Sequence, residues 1–526
     1  MQKSKIKGKD TKQASHFEPE DSVEKVLSFI HEKKNNFWIK ERENKTLELF
    51  HAVARGVSAY KDFLKKNHIN HEKIETFKDF EQVPHIDKSN YIRQYSLGET
   101  SWDPSFLRHL VFTSTSGSTG EPTYFSRDKR VDWQASVIHE LFYQNASGGK
   151  DVPTLVIVCF GMGVWIGGII TYQAFEMLGQ RGYPISIITP GINKEEIFKA
   201  IKNISPHFKQ TILAGYPPFI KDIIDEAPGK DINLKELNIK LLFAAEAFTE
   251  KFRNHLVKKV GIRNPYLETM NIYGSADIGA MAFETPLSIL IRQIALKKPK
   301  LFKSIFSPIE KTPTLAQYIP SFINFEAPNG EIILTGNNSI PLLRYSIGDH
   351  GGVYSFNQML EKLTVNGISL YREAKAVGIE KHLYQLPFVF VYERMDFSTT
   401  LYGLQVYPET IREVLLEKPF DEIFTGKLTL ITKYNDNQDQ YLEINLELQK
   451  DKSASPMIEQ MLLDRVMTNL RTKNSEFREL SNYLKERAIP RTVFWPHEDP
   501  LYFKKGIKQE WVKKIQNGGG NGINKI

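Results

Sequence analysis

Phe112 to Phe125 reads FTSTSGSTGEPTYF, and eight of the ten residues from Ser114 to Thr123 are Ser, Thr or Gly. Backbone amides of a Gly-rich loop, with hydroxyls beside them, make a concave set of donors suited to phosphate oxygens. A flexible Ser/Gly linker has a similar composition. This loop, however, is short, lies between apolar Leu110–Phe112 and Tyr124–Phe125, and carries Glu121-Pro122 instead of an open-ended repeat. It lacks the Gly-Lys-Ser/Thr ending of a Walker loop and so is not one.

Outward from the loop, β-branched runs alternate with helical segments. Thr154–Phe160, Ile185–Thr189, Thr211–Ala214, Leu241–Ala245, Tyr266–Tyr273 and Glu331–Thr335 read as short strands. Asn193 and Thr249 are good N-caps for helices between them. This rhythm predicts an α/β fold, with a large N-terminal domain of mostly parallel sheet covered by helices. Upstream, Asp21 with Glu24 forms a capping-box pattern, and a second helix is expected from about Lys45 to Lys65. Beyond residue 397 or so, amphipathic strands at Lys427–Thr432 and Tyr441–Leu448 and a helix capped at Ser455, with Pro456 in its first position, predict a small C-terminal α+β domain. The expected units are a basic disordered tail over 1–20, a large domain over 21–395, a small mobile domain over 396–516 and a flexible Gly-rich tail over 517–526.

Composition sets bounds on this reading. The chain has 526 residues, 41% hydrophobic and 25% charged, which is globular and too long for one ordinary domain. A single cysteine, Cys159, excludes an intrachain disulfide and a Cys-rich zinc module. MQKSKIKGKDTKQAS at the start is polar and basic, not a secretory signal, so the cytoplasm is the expected location. Pro153–Phe175 has no charged residue and is long enough to span a bilayer, but four glycines interrupt it, and strand Thr154–Phe160 followed by a Gly-rich turn and a helix to Leu178 is the better reading. A dinucleotide fingerprint is weak: after Gly161 and Gly163 the sixth position is Ile166, and the next strand ends in Thr189-Pro190 without an acid for a ribose.

At the loop the sequence resembles the adenylate-forming (AMP-binding) superfamily, and within it the phenylacetate:coenzyme A ligase branch, whose loop has the form SSGTTGKPT and ends in Thr, as here at Thr123. Further segments resemble that branch in its order, over roughly residues 45 to 510. TFKDFEQVPHIDKSNY (Thr76–Tyr91) ends in a PxxxK pattern; FGMGVWIGG resembles the turn lining the acid pocket; FAAEAFTEKFR (Phe243–Arg253) resembles the GAEP segment. NIYGSADIG (Asn271–Gly279) resembles YGxxE, IPLLRYSIGDHG (Ile340–Gly351) resembles PxxRYxxGD, and YERMDFSTTLYGLQVYPETI (Tyr392–Ile411) resembles the hinge region.

The resemblance implies activation of a carboxylic acid by ATP, with magnesium, and transfer of the acyl group to a thiol, most simply coenzyme A. It assigns the phosphates to Thr115, Ser116, Gly117, Ser118, Thr119 and Gly120, adenine to Tyr273 beside Gly274, and the ribose hydroxyls to Asp349. The metal falls to Asp277, one methylene shorter than the family's Glu. Arg394 matches a nucleotide-phosphate contact, Asp396 the hinge and Gly403 the passage for a pantetheine arm. Glu393 stands where the family has Gly. Glu246 is a candidate for the adenine or acid pocket, although a helix-start glutamate explains it equally. The family's catalytic lysine follows a glycine, but Ile507 follows Gly506 here, leaving Lys508 and Lys505 as candidates. Phe160, Trp165 and Tyr216 suit an aryl or fatty acid pocket, and core packing is their alternative role. A carrier protein, a protein cysteine or an amine are other acceptors, and a non-catalytic nucleotide-binding homologue is the competing reading.

The net charge of +7 is local. Residues 1–14 carry +4, Ile291–Lys311 +5 and Phe503–Ile526 +5, leaving −7 on the remaining chain. That distribution is no nucleic-acid footprint over a fold. Pro286–Lys311 has apolar positions at helical spacing among lysines, so a peripheral membrane or partner contact through 286–311 is weighed against a helix with its apolar side on the core.

Overall fold

The computed structural model describes residues 22–114, 123–147, 149–163, 166–245, 247–306, 312–394, 399–401, 404–434, 440–473, 477–478, 481, 485–503 and 512–513. Val111–Ser114 (β1) and Tyr124–Arg127 (β2) form a separate antiparallel hairpin that brackets the Ser/Gly loop. Then come β3 (Thr154–Cys159), β4 (Ile185–Ile188), β5 (Gln210–Gly215), β6 (Ile239–Ala244), β7 (Thr269–Ser275), β8 (Gly279–Phe283) and β9 (Thr314–Gln317). After them run β10 (Ile323–Glu326), β11 (Glu331–Gly336), β12 (Leu342–Tyr354) and β13 (Phe388–Arg394). Among the described residues these eleven strands make one sheet, ordered β10-β11-β12-β13-β9-β8-β7-β6-β5-β3-β4.

The expectation of a mostly parallel sheet holds for one half only. Strands β4, β3, β5, β6 and β7 pair in parallel, and every pair from β7 to β10 is antiparallel. The difference follows from the connections. Helices join the parallel strands, whereas a tight turn joins β7 to β8 and requires no crossover.

Strands β3 and β5 are buried at every position, as a sheet covered on both faces requires. Alternate side chains of β3 serve different cores. Val156 and Val158 pack with Trp133, Phe175 and Leu178, while Leu155, Ile157 and Cys159 pack with Ile197, Ile220 and Phe252. Burial also pushes the Cys159 thiol well up, which makes it an inert core residue.

Several local expectations shift. Ser22, not Asp21, caps the first helix (Val23–Glu32), its side chain accepting from the Lys25 amide. The expected helix Lys45–Lys65 is two helices, Asn35–Gly56 and Ser58–Lys66, separated at extended Val57. Pro153–Phe175 divides into β3 and the helix Ile166–Gln180, and no described helix is long and apolar enough to cross a membrane. Helices Pro286–Lys297 and Pro299–Phe306 use their apolar sides internally: Leu287, Ile291, Leu301, Ile305 and Phe306 pack with Phe388, Phe390 and Tyr392. The membrane contact considered for 286–311 is therefore corrected, since the stripe that would face lipid faces the sheet; Ser307 to Lys311 lie outside the described residues.

Toward the C-terminus, strands Phe424–Tyr434, Gln440–Leu448 and Arg491–Trp495 and helices Pro408–Leu415 and Pro456–Lys473 share a core of their own, including Val406, Ile411, Leu428, Ile444, Leu446 and Val466. This unit meets helices of the large unit through both charge and apolar packing. Lys427 lies 2.9 Å from Asp222, Lys251 lies 2.6 Å from Glu417, Lys221 Nζ donates to the Thr425 carbonyl at 3.0 Å, and Leu416 is buried among Phe219, Phe248 and Phe252. The Arg412 guanidinium caps the Phe252 ring at 4.3 Å.

Candidate active site

In a sheet with parallel strands, the carboxyl ends of the strands open a crevice. Here the ends of β3, β5, β6 and β7 deliver Phe160, Tyr216, Ala245 and the turn Tyr273–Asp277. Phe160 and Tyr216, two of the expected acid-pocket residues, meet edge to face with ring centroids 4.9 Å apart. Ala245 holds the left-handed region at φ 73, a strain that a non-glycine residue keeps only when its surroundings impose it. Trp165 and Glu246 lie outside the described residues.

Beneath the turn, β7 is anchored by buried charge. Arg253 donates to Glu284 at 2.7 Å and to Thr269 Oγ1 at 2.6 Å, and Glu284 accepts the Asn271 amide at 3.0 Å. Gly274 permits the turn to close, because a Cβ there would meet the Gly279 carbonyl oxygen at 2.7 Å. Thr113 Oγ1, at the base of the Ser/Gly loop, reaches the Ala276 carbonyl at 3.3 Å and ties the loop to the turn.

The Tyr273 hydroxyl donates to Asp349 Oδ2 at 2.5 Å, so the residues expected at adenine and ribose are joined by a charge-assisted bond. Asp349 is buried, and its register partner across β12–β13 is Arg394. Thus Tyr273, Gly274, Asp349 and the backbone of Arg394 come together with the start of the loop. Thr115, Ser116, Gly117, Ser118, Thr119 and Gly120 themselves, and Asp396, Gly403, Lys505 and Lys508, lie outside the described residues.

Asp277 is brought to this site with partners of its own. Its side chain is 3% exposed, and Oδ2 takes both the Lys88 ammonium at 3.0 Å and the Tyr345 hydroxyl at 2.7 Å. No group of three His, Cys, Asp or Glu suited to a metal occurs among the described residues. In this arrangement an ammonium supplies the Asp277 counter-charge, so a magnesium ion at this carboxylate would have to displace Lys88. Lys88 and Tyr345 stand in two quoted motifs, PxxxK and PxxRYxxGD, but neither was singled out as a site residue. The PxxxK spacing was the only signal for Lys88, and it names no partner.

No protein-family model matches the sequence, and no curated protein matches it. In structure the chain is similar to 2-hydroxyisobutyryl-CoA ligase in the postadenylation state in complex with R3-HIB-AMP, with TM-score 0.64 and 13% identity over 95% of this chain and 94% of that one. It is likewise similar to that ligase in the same state in complex with 2-HIB-AMP, with TM-score 0.64 and 12% identity over 93% and 92% of the two chains. Over nearly its whole length the chain therefore has the fold of these CoA ligases.

Proposed function

We propose that this chain is an ATP-dependent carboxylic acid ligase: it joins a carboxylate to the α-phosphate of ATP, releases pyrophosphate and passes the acyl group of the adenylate to a thiol, coenzyme A above all, as phenylacetate:coenzyme A ligases do. The observation that supports this most is the Tyr273–Asp349 pair, in which Tyr273 from the end of β7 meets Asp349 of β12 next to the turn that Thr113 reaches. Two hydroxyls of a ribose need a buried, oriented carboxylate, and Asp349 is one. The solved ligases of the same fold hold acyl-AMP, which agrees with this reading.

In this reading residues 115–120 cradle the β- and γ-phosphates through amides and hydroxyls, and Tyr273 adjoins adenine. Arg394 with Lys508 or Lys505 offsets the charge that accumulates as carboxylate meets phosphate. Asp396 is the hinge and Gly403 lines the thiol passage, with the domain boundary at 395/396. Phe160 and Tyr216 bound a pocket for an aryl or fatty acid, and the enzyme works in the cytoplasm. No step is assigned to a metal at Asp277. Mass spectrometry of reactions containing ATP, coenzyme A and a panel of aryl and fatty acids tests the acceptor. A new thioester with any acid supports the reading, and acyl-AMP accumulation without thioester would move the acceptor to a carrier protein or an amine.

A further inference from the structure

Arg344 precedes Tyr345 in β12 and adopts φ 47, the left-handed region, at an irregular point in the β11–β12 pairing. Glycine fits such a position without strain, so an arginine there requires a reason. Every polar reach of the residue is toward one segment or its support. Its amide donates to Thr335 Oγ1 at 2.9 Å, and its guanidinium donates to the Val83 carbonyl and lies 3.0 Å from Glu326 Oε1. Its carbonyl accepts the Ile86 amide at 3.0 Å, and the Ser346 amide returns to the Ile86 carbonyl at 2.8 Å. The clamped segment, Val83–Ile86, runs straight into Asp87, whose carboxylate caps the single wide turn Lys88–Ile92 by accepting the Ser89 and Asn90 amides.

Both partners of Asp277 thus hang from Arg344. Lys88 follows the segment it clamps, and Tyr345 is its neighbour in the chain. We infer that Arg344 is a positioning residue for the candidate active site, fixing the Lys88 ammonium and the Tyr345 hydroxyl on Asp277 without itself touching a substrate. The catalytic consequence rests on the ligase reading above; the structural one does not. The left-handed backbone is the strained element, and the forked guanidinium, held by Glu326, is what makes arginine rather than glycine the useful residue there.

The test separates the two levels. The full chain is acetylated with an N-hydroxysuccinimide ester, and the modification rate of each lysine is followed by mass spectrometry in wild type, Arg344→Gly/Glu326→Gln and Asp277→Asn. The paired substitution removes both buried charges together, so neither is left unmatched. Lys88 should react about ten-fold faster in the double variant, the scale of one charged hydrogen bond, with exposed lysines such as Lys61 unchanged. Asp277→Asn should give the same rise. An unchanged Lys88 rate in the folded double variant overturns the inference, whatever the enzyme's activity; Arg344→Lys, which keeps Glu326 paired but loses the fork, reads the same comparison if the double variant does not fold. In isotope exchange between ATP and pyrophosphate, the double variant should lose about ten-fold in kcat with KM for ATP little changed, and should lose distinctly less in a Lys88→Met background, where only Tyr345 is left to position. A full additional loss in that background would show that Arg344 acts by general structural support.

Discussion

Replacing Lys88 with methionine isolates the ion pair at the centre of the site. Asp277 is 2% exposed and, among the described residues, keeps the Tyr345 hydroxyl on Oδ2 once the ammonium is gone. Stranding one member of a fully buried pair costs about 3–5 kcal/mol; because the Lys88 side chain is 22% exposed, solvent screening reduces the expected loss to about 2–3 kcal/mol. The reverse change should be milder. Asp277→Asn leaves an amine that already reaches water, at about 1 kcal/mol. Lys88→Met with Asp277→Asn removes both charges and should recover most of the loss, leaving about 1 kcal/mol against a sum of about 3–4 for the single changes, a coupling of about 2–3 kcal/mol. Differential scanning calorimetry reads these values on the melting of the large unit, at roughly 1 °C per kcal/mol for a unit of this size. A Lys88→Met protein as stable as wild type, or an Asp277→Asn protein less stable than Lys88→Met, would refute the pairing and return Asp277 to candidacy as a metal ligand.

Tyr273→Phe removes the bond to Asp349 and should weaken ATP binding by about 1 kcal/mol, roughly five-fold, in isothermal titration calorimetry, while the melting temperature barely moves; unaltered affinity would detach the pair from the nucleotide. Glu326 faces Arg344, Arg42, Glu81, Tyr60 and Tyr318, and burial, outweighing the Arg344 attraction, pushes its carboxyl up to about 7 from an ordinary 4.5. A raised carboxyl gives stability that is complete below the unfolded value and lost as pH rises through about 7, so wild type should lose up to about 3 kcal/mol between pH 4.5 and 8, and Glu326→Gln should flatten that part of the profile. At the contact between the units, Lys427, Lys194 and Lys221 hold the Asp222 carboxyl below its ordinary range despite its burial. Asp222→Asn leaves Lys427 and Lys194 undercompensated and should weaken docking of the C-terminal unit by about 3 kcal/mol, seen as faster hydrogen exchange along Phe424–Tyr434; unchanged exchange there would mean that Asp222 contributes nothing to docking.

Much of the architecture was legible because its signals are local. Asn193 caps the helix Lys194–Asn203, Thr249 caps Glu250–Val260, and the helix predicted after Ser455 begins at Pro456. Strands β3, β5 and β6 were visible as apolar, β-branched runs because burial on both faces demands them. Direction was not, since a β-branched run looks the same in a parallel and an antiparallel pair, and only the lengths of connections beyond Tyr273 distinguish them. The helices from Pro286 to Phe306 show the same ambiguity: lysines between apolar residues mark one side for water but leave open whether the other meets lipid or protein. In the site, Tyr273 and Asp349 were found through motifs that the fold joins. Lys88 escaped because its meaning lies in a contact with Asp277, far along the chain, set by the Arg344 clamp on Val83 and Ile86.

The adenylation half-reaction is the most direct measurement. Isotope exchange between ATP and pyrophosphate, run with the full chain and a panel of aryl and fatty carboxylic acids without coenzyme A, reports reversible acyl-adenylate formation alone. Acid-dependent exchange with at least one acid, lost in Asp349→Ala, is the predicted result. Tight ATP binding with no exchange for any acid would contradict the ligase reading and leave a nucleotide-binding protein that has kept the fold without the turnover.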